Sequence, residues 1–142
     1  SGLPTLSLGF FKQIAATMGQ QLLYIFAKYE NNPIACAICF KSDDTLYGRF
    51  WGCEQEHDSL HFETCFYQGI DYCIAHKLQR FEPGAQGEHK ITRGFLPTKT
   101  RSAHWIAHPQ FRAPIYEFCQ REIKGINHQC SELMSLSPYR DD

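Results

Sequence analysis

The stretch "LHFETCFYQGIDYCI", Leu60–Ile74, decides the fold. Its positions Phe62, Cys65, Phe66, Gly69, Ile70, Cys73 and Ile74 recur at steps of three and four, the period of an amphipathic helix. The pattern predicts a helix over His61–Lys77, with Asp58 or Ser59 as its cap. Glu63 falls in its first turn, where a carboxylate suits the helix dipole. The sequence on either side has another period. Before the helix stand three strand-like runs, Leu22–Tyr29, Ile34–Lys41 and Leu46–Cys53. Asn31-Asn32-Pro33 and Ser42-Asp43-Asp44 separate them, turn residues at hairpin spacing, so the three runs predict an antiparallel meander. The middle run, "IACAICF", is apolar throughout and is expected to be buried on both faces. After the helix, Leu78–Glu82 reads as a strand, placed parallel to the third by the helical crossover.

Further out, Ser7 can cap a helix whose apolar face is Phe11, Ile14, Ala15 and Met18, ending at Gly19. Arg101–Ala107 is another strand candidate, with Trp105 expected in the core. Pro109 opens a last helix that should turn Phe111, Ile115, Phe118, Cys119, Ile123 and Ile126 inward. This order predicts an α+β fold, a mixed and mostly antiparallel sheet flanked by helices. With 142 residues and no repeat or linker, the chain reads as a single domain, 1–142.

Composition narrows the function classes. Hydrophobic residues make up 43% and aromatics 14%, which suits a globular chain and not a disordered one. No apolar run approaches the length of a membrane span. Seven cysteines, an odd number, sit partly inside apolar patterns, so reduced thiols in a cytoplasmic protein are expected. A net charge of -1 argues against a polybasic nucleic-acid binder. That average hides an asymmetry. From His89 to Tyr116 there is no acidic residue, while Lys90, Arg93, Lys99, Arg101 and Arg112 are all present. Glu54, Glu56, Asp58 and Glu63 crowd the residues ahead of them. The acid-free stretch reads as a face that tolerates an anionic ligand.

The chemically able side chains concentrate in "FEPGAQGEHKITRGF", Phe81–Phe95. It follows the crossover strand, where open α/β sheets present their ligand crevice. Gly84, Gly87 and Gly94 permit turns or close approach to a ligand. Gln86, Glu88, His89 and Lys90 would project from such a loop, with Arg93 the candidate for an anion. The structural alternative is a loop whose polar groups satisfy one another and cap the strands. Tyr47 and Arg49 alternate with Trp51 along one predicted strand face and are candidates for a substrate wall. Cys53, His57, His61 and Cys65 are spaced four apart, but the strand end and Asp58-Ser59 interrupt any single helical face, so no metal is expected. A three-residue step in a strand sends Cys36 and Cys39 to opposite faces, which is core packing and not a redox pair.

Four stretches, "LYGRFWGC" (Leu46–Cys53), "LHFETCFYQGIDYCI" (Leu60–Ile74), "FEPGAQGEHKITRGFLP" (Phe81–Pro97) and "SAHWI" (Ser102–Ile106), together closely resemble the FemAB-like peptidoglycan biosynthesis/recognition family. The resemblance runs from "LGFFKQIA" to "SPYR". It implies a GNAT-like acyl-CoA N-acyltransferase fold, as the C-terminal half of a longer protein whose N-terminal domain would be a partner. It also implies transfer of an acyl or aminoacyl group to an amine. FemAB proteins proper move amino acids from aminoacyl-tRNA onto peptidoglycan precursors. The expected donor is therefore acyl-CoA or aminoacyl-tRNA, the partners tRNA and a small-molecule or peptidoglycan-precursor acceptor, and no further cofactor is implied.

Such transfer needs a base, oxyanion donors and positive charge for an anionic donor. Glu88 or His89 can be the base, and Glu63 and His61 are the other pair; Gln86 and Gly87 line the same loop, and Lys90 and Arg93 would hold the anion. One departure bears on the donor. Relatives that use acetyl-CoA carry a Gln/Arg-x-x-Gly-x-Gly/Ala loop between the third strand and the helix. Here "GCEQEHDSLHFE" keeps only Gly52 of that pattern and brings four carboxylates, which argues against a CoA cradle. A non-catalytic module that recognises peptidoglycan precursors, or a half that completes another domain's site, are the competing readings.

Overall fold

The computed structural model describes residues 6–84 and 87–139. The chain forms two compact units, Ser1–Ala85 and Gln86–Asp142. In the first, the Ser7 hydroxyl accepts a hydrogen bond from the Phe10 N–H at 3.3 Å and caps helix α1, Leu8–Met18. Strand β1 (Leu22–Tyr29) turns through Glu30 and Asn31, both left-handed with φ of 49° and 68°, into β2 (Asn32–Lys41). Two consecutive left-handed residues are the hairpin geometry that matches strand twist. The next turn, into β3 (Thr45–Cys53), is tied by Asp44, whose carboxylate accepts from the Thr45 hydroxyl at 2.7 Å and the Ser42 hydroxyl at 3.2 Å.

The sheet order is β1-β2-β3-β4, with β4 spanning Arg80–Glu82. The meander is antiparallel, and β4 lies parallel to β3 through Thr45–Arg80, Leu46–Phe81 and Tyr47–Glu82. The mixed, mostly antiparallel sheet flanked by helices is thus present, with the crossover bridging its parallel pair. That crossover is not one regular helix. It runs as α2 (Leu60–Phe62), a π-helical stretch (Glu63–Tyr67) and α3 (Gln68–His76). Neither Asp58 nor Ser59 caps it as expected. Ser59 is left-handed, with φ 61°, and makes no side-chain cap bond; its carbonyl accepts the Glu63 N–H at 3.0 Å.

The register puts Leu23, Ile25 and Ala27 opposite Cys39, Ala37 and Ala35, and those three β2 residues are buried. On this face Cys39, Leu46 and Cys73 form a core, joined by Leu23, Ile25, Tyr72, Leu78 and Phe81. Gly69 is required here, because a Cβ on it would lie 2.5 Å from the Phe81 ring. On the other face Phe10 and Phe11 of α1 meet Phe50 edge-on at 6.5 and 5.3 Å. Farther along that face Phe26 is 56% exposed, because an 11-residue helix covers only part of it. "IACAICF" is therefore buried on one face and half-covered on the other, contrary to the expectation of full burial.

A bulge changes a second expectation. Ile38 faces Phe50 and Cys39 faces Gly48, so Arg49 has no partner in the ladder. Tyr47 then aligns with Phe40 and Trp51 with Ala37, on opposite faces. The predicted Tyr47–Arg49–Trp51 stripe does not exist. The cysteines behave as read: all are free, and the register separates Cys36, opposite Phe26, from Cys39, opposite Leu23. Burial, with smaller contributions from Cys73 and Cys36, pushes the Cys39 thiol up to about 11.

In the second unit Glu88–Arg93 form a 3-10 turn, and α4 spans Pro109–Met134. Arg101–Ala107 forms no strand. The described residues of this unit offer it no partner strand, and Arg112 instead holds the Ile106 carbonyl with two donors at 3.1 and 2.9 Å. Trp105, expected in the core, is 82% exposed. The α4 face expected inward is also open: Phe111, Ile115, Phe118, Ile123 and Ile126 are all exposed, and only Cys119 is half-buried. A short turn and an extended segment are too little to cover a helix of 26 residues.

Two measurements test this packing. Leu46→Ala should cost about 2–5 kcal/mol of unfolding free energy by denaturant titration, since Leu46 is 0% exposed. The hydroxyls of Thr45, first, and Ser42 hold the Asp44 carboxyl below its ordinary value. A lowered folded-state pKa gives stability that is complete above the ordinary carboxylate range and lost as pH falls through the folded value. Asp44→Asn should therefore flatten the acid limb of the stability–pH profile below about pH 4. An unchanged acid limb would contradict this role for the turn.

Candidate functional site

The parallel pairing of β3 stops at Tyr47, opposite Glu82, the last residue of β4. Beyond it the β4 edge of β3 has no neighbouring strand among the described residues. There a cleft of about 410 Å³ opens between Trp51 and Cys53 at the end of β3, the connection 56–59, and Leu60 and His61 at the head of the crossover. The Trp51 and His61 rings meet edge-on at 5.4 Å, and His61 is braced behind by Phe66, also at 5.4 Å. Glu56, His57 and Asp58 line it from the connection, all exposed, as is the Cys53 thiol.

The lining holds two carboxylates and no Lys or Arg, so its field favours a cation. The backbone donors at the head of the crossover are partly engaged. The Leu60 N–H is engaged by the His57 carbonyl at 3.3 Å, and the Glu63 N–H by that of Ser59. The Glu63 bond is the ordinary first bond of a helix, and only three residues of α-helix precede the π-helical stretch.

Among the sequence candidates in this unit, His61 lines the cleft. Glu63 does not; it is exposed, and Gln68 donates to its carboxylate at 2.9 Å, a five-residue spacing that the π-helical stretch brings together. Tyr47 and Arg49 lie outside the cleft lining. Tyr47 sits on the α1 face, and the Arg49 guanidinium lies 5.0 Å from the Phe50 ring. Among the described residues no three His, Cys, Asp or Glu side chains are grouped to hold a metal ion.

In the second unit the glycine-rich segment is a pinned turn. Gln86 lies outside the described residues. Gly87 has φ 105°, and any Cβ on it would strike the His89 ring. The His89 carbonyl accepts from Arg93 Nη1 at 2.7 Å and the Thr92 hydroxyl at 3.0 Å. Gly94, φ 88°, gives its carbonyl to the Tyr139 hydroxyl at 3.2 Å. Glu88 and His89 are exposed on this turn, and Lys90 and Arg93 are half-buried. Sequence reasoning missed Cys53, Glu56, His57 and Asp58 as cleft residues. The signal for them was the acid-rich connection between strand and helix.

The β3–crossover–β4 unit with its cleft beside the parallel pair defines a GNAT-like α+β domain. The chain belongs to the FemAB-like family, whose model, described as peptidoglycan biosynthesis/recognition, matches residues 1–141. A role in peptidoglycan biosynthesis or recognition follows from that membership. No curated protein and no solved structure matches the chain. Among the described residues no helix is long and apolar enough to cross a membrane.

The cysteines offer a direct check on the cleft. With iodoacetamide at about pH 8, Cys53 should alkylate in the native protein, while Cys39, buried and with its thiol pushed up to about 11, should react only on unfolding. Peptide mapping that found Cys39 modified as fast as Cys53 would contradict the packing around β2.

Proposed function

We propose that the chain is an N-acyltransferase-type domain that delivers an acyl or aminoacyl group to an amine on a peptidoglycan precursor. The observation that supports this most is the cleft beside His61, in a FemAB-like chain with this fold. An amine arrives as an ammonium ion. Glu56 and Asp58 attract that charge, and the Trp51 indole adds a cation–π surface. His61, on the cleft wall, accepts the proton and frees the lone pair for attack on the donor carbonyl. The donor's ester C–O or thioester C–S bond then breaks, and the departing ribose oxygen or CoA sulfur takes up a proton as the amide forms. In the second unit, taken by itself, the acid-free stretch beginning at His89 keeps Lys90 and Arg93 as candidates for an anion, although Arg93 already holds the His89 carbonyl. The acidic cleft suits the acceptor's ammonium and not the phosphates of either donor, acyl-CoA or aminoacyl-tRNA.

The open apolar face of α4, with Phe111 62% and Phe118 55% exposed, favours a second reading: a half that acts only with another domain. Transfer assays with charged tRNA and with acyl-CoA, each with a peptidoglycan-precursor acceptor, separate the two. On the first reading this chain turns over, and His61→Gln lowers kcat by about 100-fold or more with KM little changed. A variant as fast as the wild type would remove His61 from the mechanism. Turnover only when another domain is supplied would favour the second reading.

A further inference from the structure

We propose that Glu56 and Asp58 are specificity-determining residues of the cleft: they admit an acceptor's ammonium group and exclude a pyrophosphate. The inference rests on reading the cleft as the acceptor site. A helix that starts after a strand is by default an anion site, because its first N–H groups are unengaged and its dipole is positive there. Whether a cleft in that position takes an anion or a cation is then decided by how far the backbone and side chains overrule the default. Here both act against it.

The backbone tempers that default: the Leu60 N–H is bound to the His57 carbonyl, and only three residues of α-helix precede the π-helical stretch. The side chains carry the sign further. Glu56 and Asp58 both line the cleft, and among the described residues neither is in an ion pair, so their charge is not neutralised locally. Trp51 supplies an aromatic wall that welcomes a cation and offers nothing to a phosphate. A phosphoanhydride would meet two like charges and no Lys or Arg.

The test is equilibrium binding followed by NMR at the Trp51 indole and the Leu60 and His61 amides. The probes are Nα-acetyl-lysine methylamide, its neutral Nε-acetylated form, and inorganic pyrophosphate. The wild-type chain should respond to the ammonium probe and to neither of the others. Glu56→Gln and Asp58→Asn should each weaken the ammonium probe by up to about fivefold, the scale of one exposed ion pair. The double reversal Glu56→Lys/Asp58→Lys should lose the ammonium response and gain one to pyrophosphate at the same resonances. Pyrophosphate shifting those resonances in the wild type, no response to the ammonium probe, or neutral variants binding it as tightly as the wild type would each overturn the inference. The neutral variants decide the matter if the double reversal fails to fold. Because binding is read without turnover, reversed selectivity in a chain that transfers no acyl group would sink the transferase reading and leave the inference standing.

Discussion

Leu46 is where two kinds of sheet meet. It is fully buried, aligned with Lys41 across the antiparallel β2–β3 ladder and with Phe81 across the parallel β3–β4 ladder. A parallel neighbour cannot be reached by a hairpin, so the chain must cross over with a helix, and that helix must pack on Leu46. Cys73 supplies the contact, and Gly69 lets the Phe81 ring come in beneath the helix. The other end of β3 follows from the same arrangement. Because β4 has only three residues, the pairing that buries Leu46 leaves β3 beyond Tyr47 unpaired on that edge. The cleft opens at that edge.

Much of this fold was legible because it rests on period. The bounds of β1 follow from its flanking turns, the crossover from apolar steps of three and four, and the start of α4 from Pro109. What was not legible depends on single inserted residues or on absent partners. Arg49 adds one residue to β3, and every alternation count beyond it inverts, which is how Trp51 came to face the crossover instead of sharing a face with Tyr47. The π-helical stretch leaves the apolar pattern nearly intact, so nothing in the spacing announced it. Arg101–Ala107 contains strand-forming residues, yet a strand exists only with a partner, and its carbonyl at Ile106 is taken by Arg112.

The candidate site divides the same way. Gly87 and Gly94 were correctly singled out as positions that need a left-handed backbone. The projecting loop imagined between them is a 3-10 turn that uses Arg93 to hold its own His89 carbonyl. The acid-rich connection was read for what it repels, a pyrophosphate, and not for what it could attract. His61 joins the two views: a residue at the head of the predicted helix that the structure sets on the cleft wall between Trp51 and Phe66.

The central claim is that the unpaired half of β3 and the head of the crossover receive the ligand. Amide hydrogen exchange with and without a soluble peptidoglycan-precursor peptide that carries a free amine tests it most directly. The account predicts slower exchange across Trp51–His61 on addition of the peptide, with the Leu22–Tyr29 strand unchanged. Protection confined to Glu88–Arg93, with Trp51–His61 exchanging as in the unliganded protein, would contradict it.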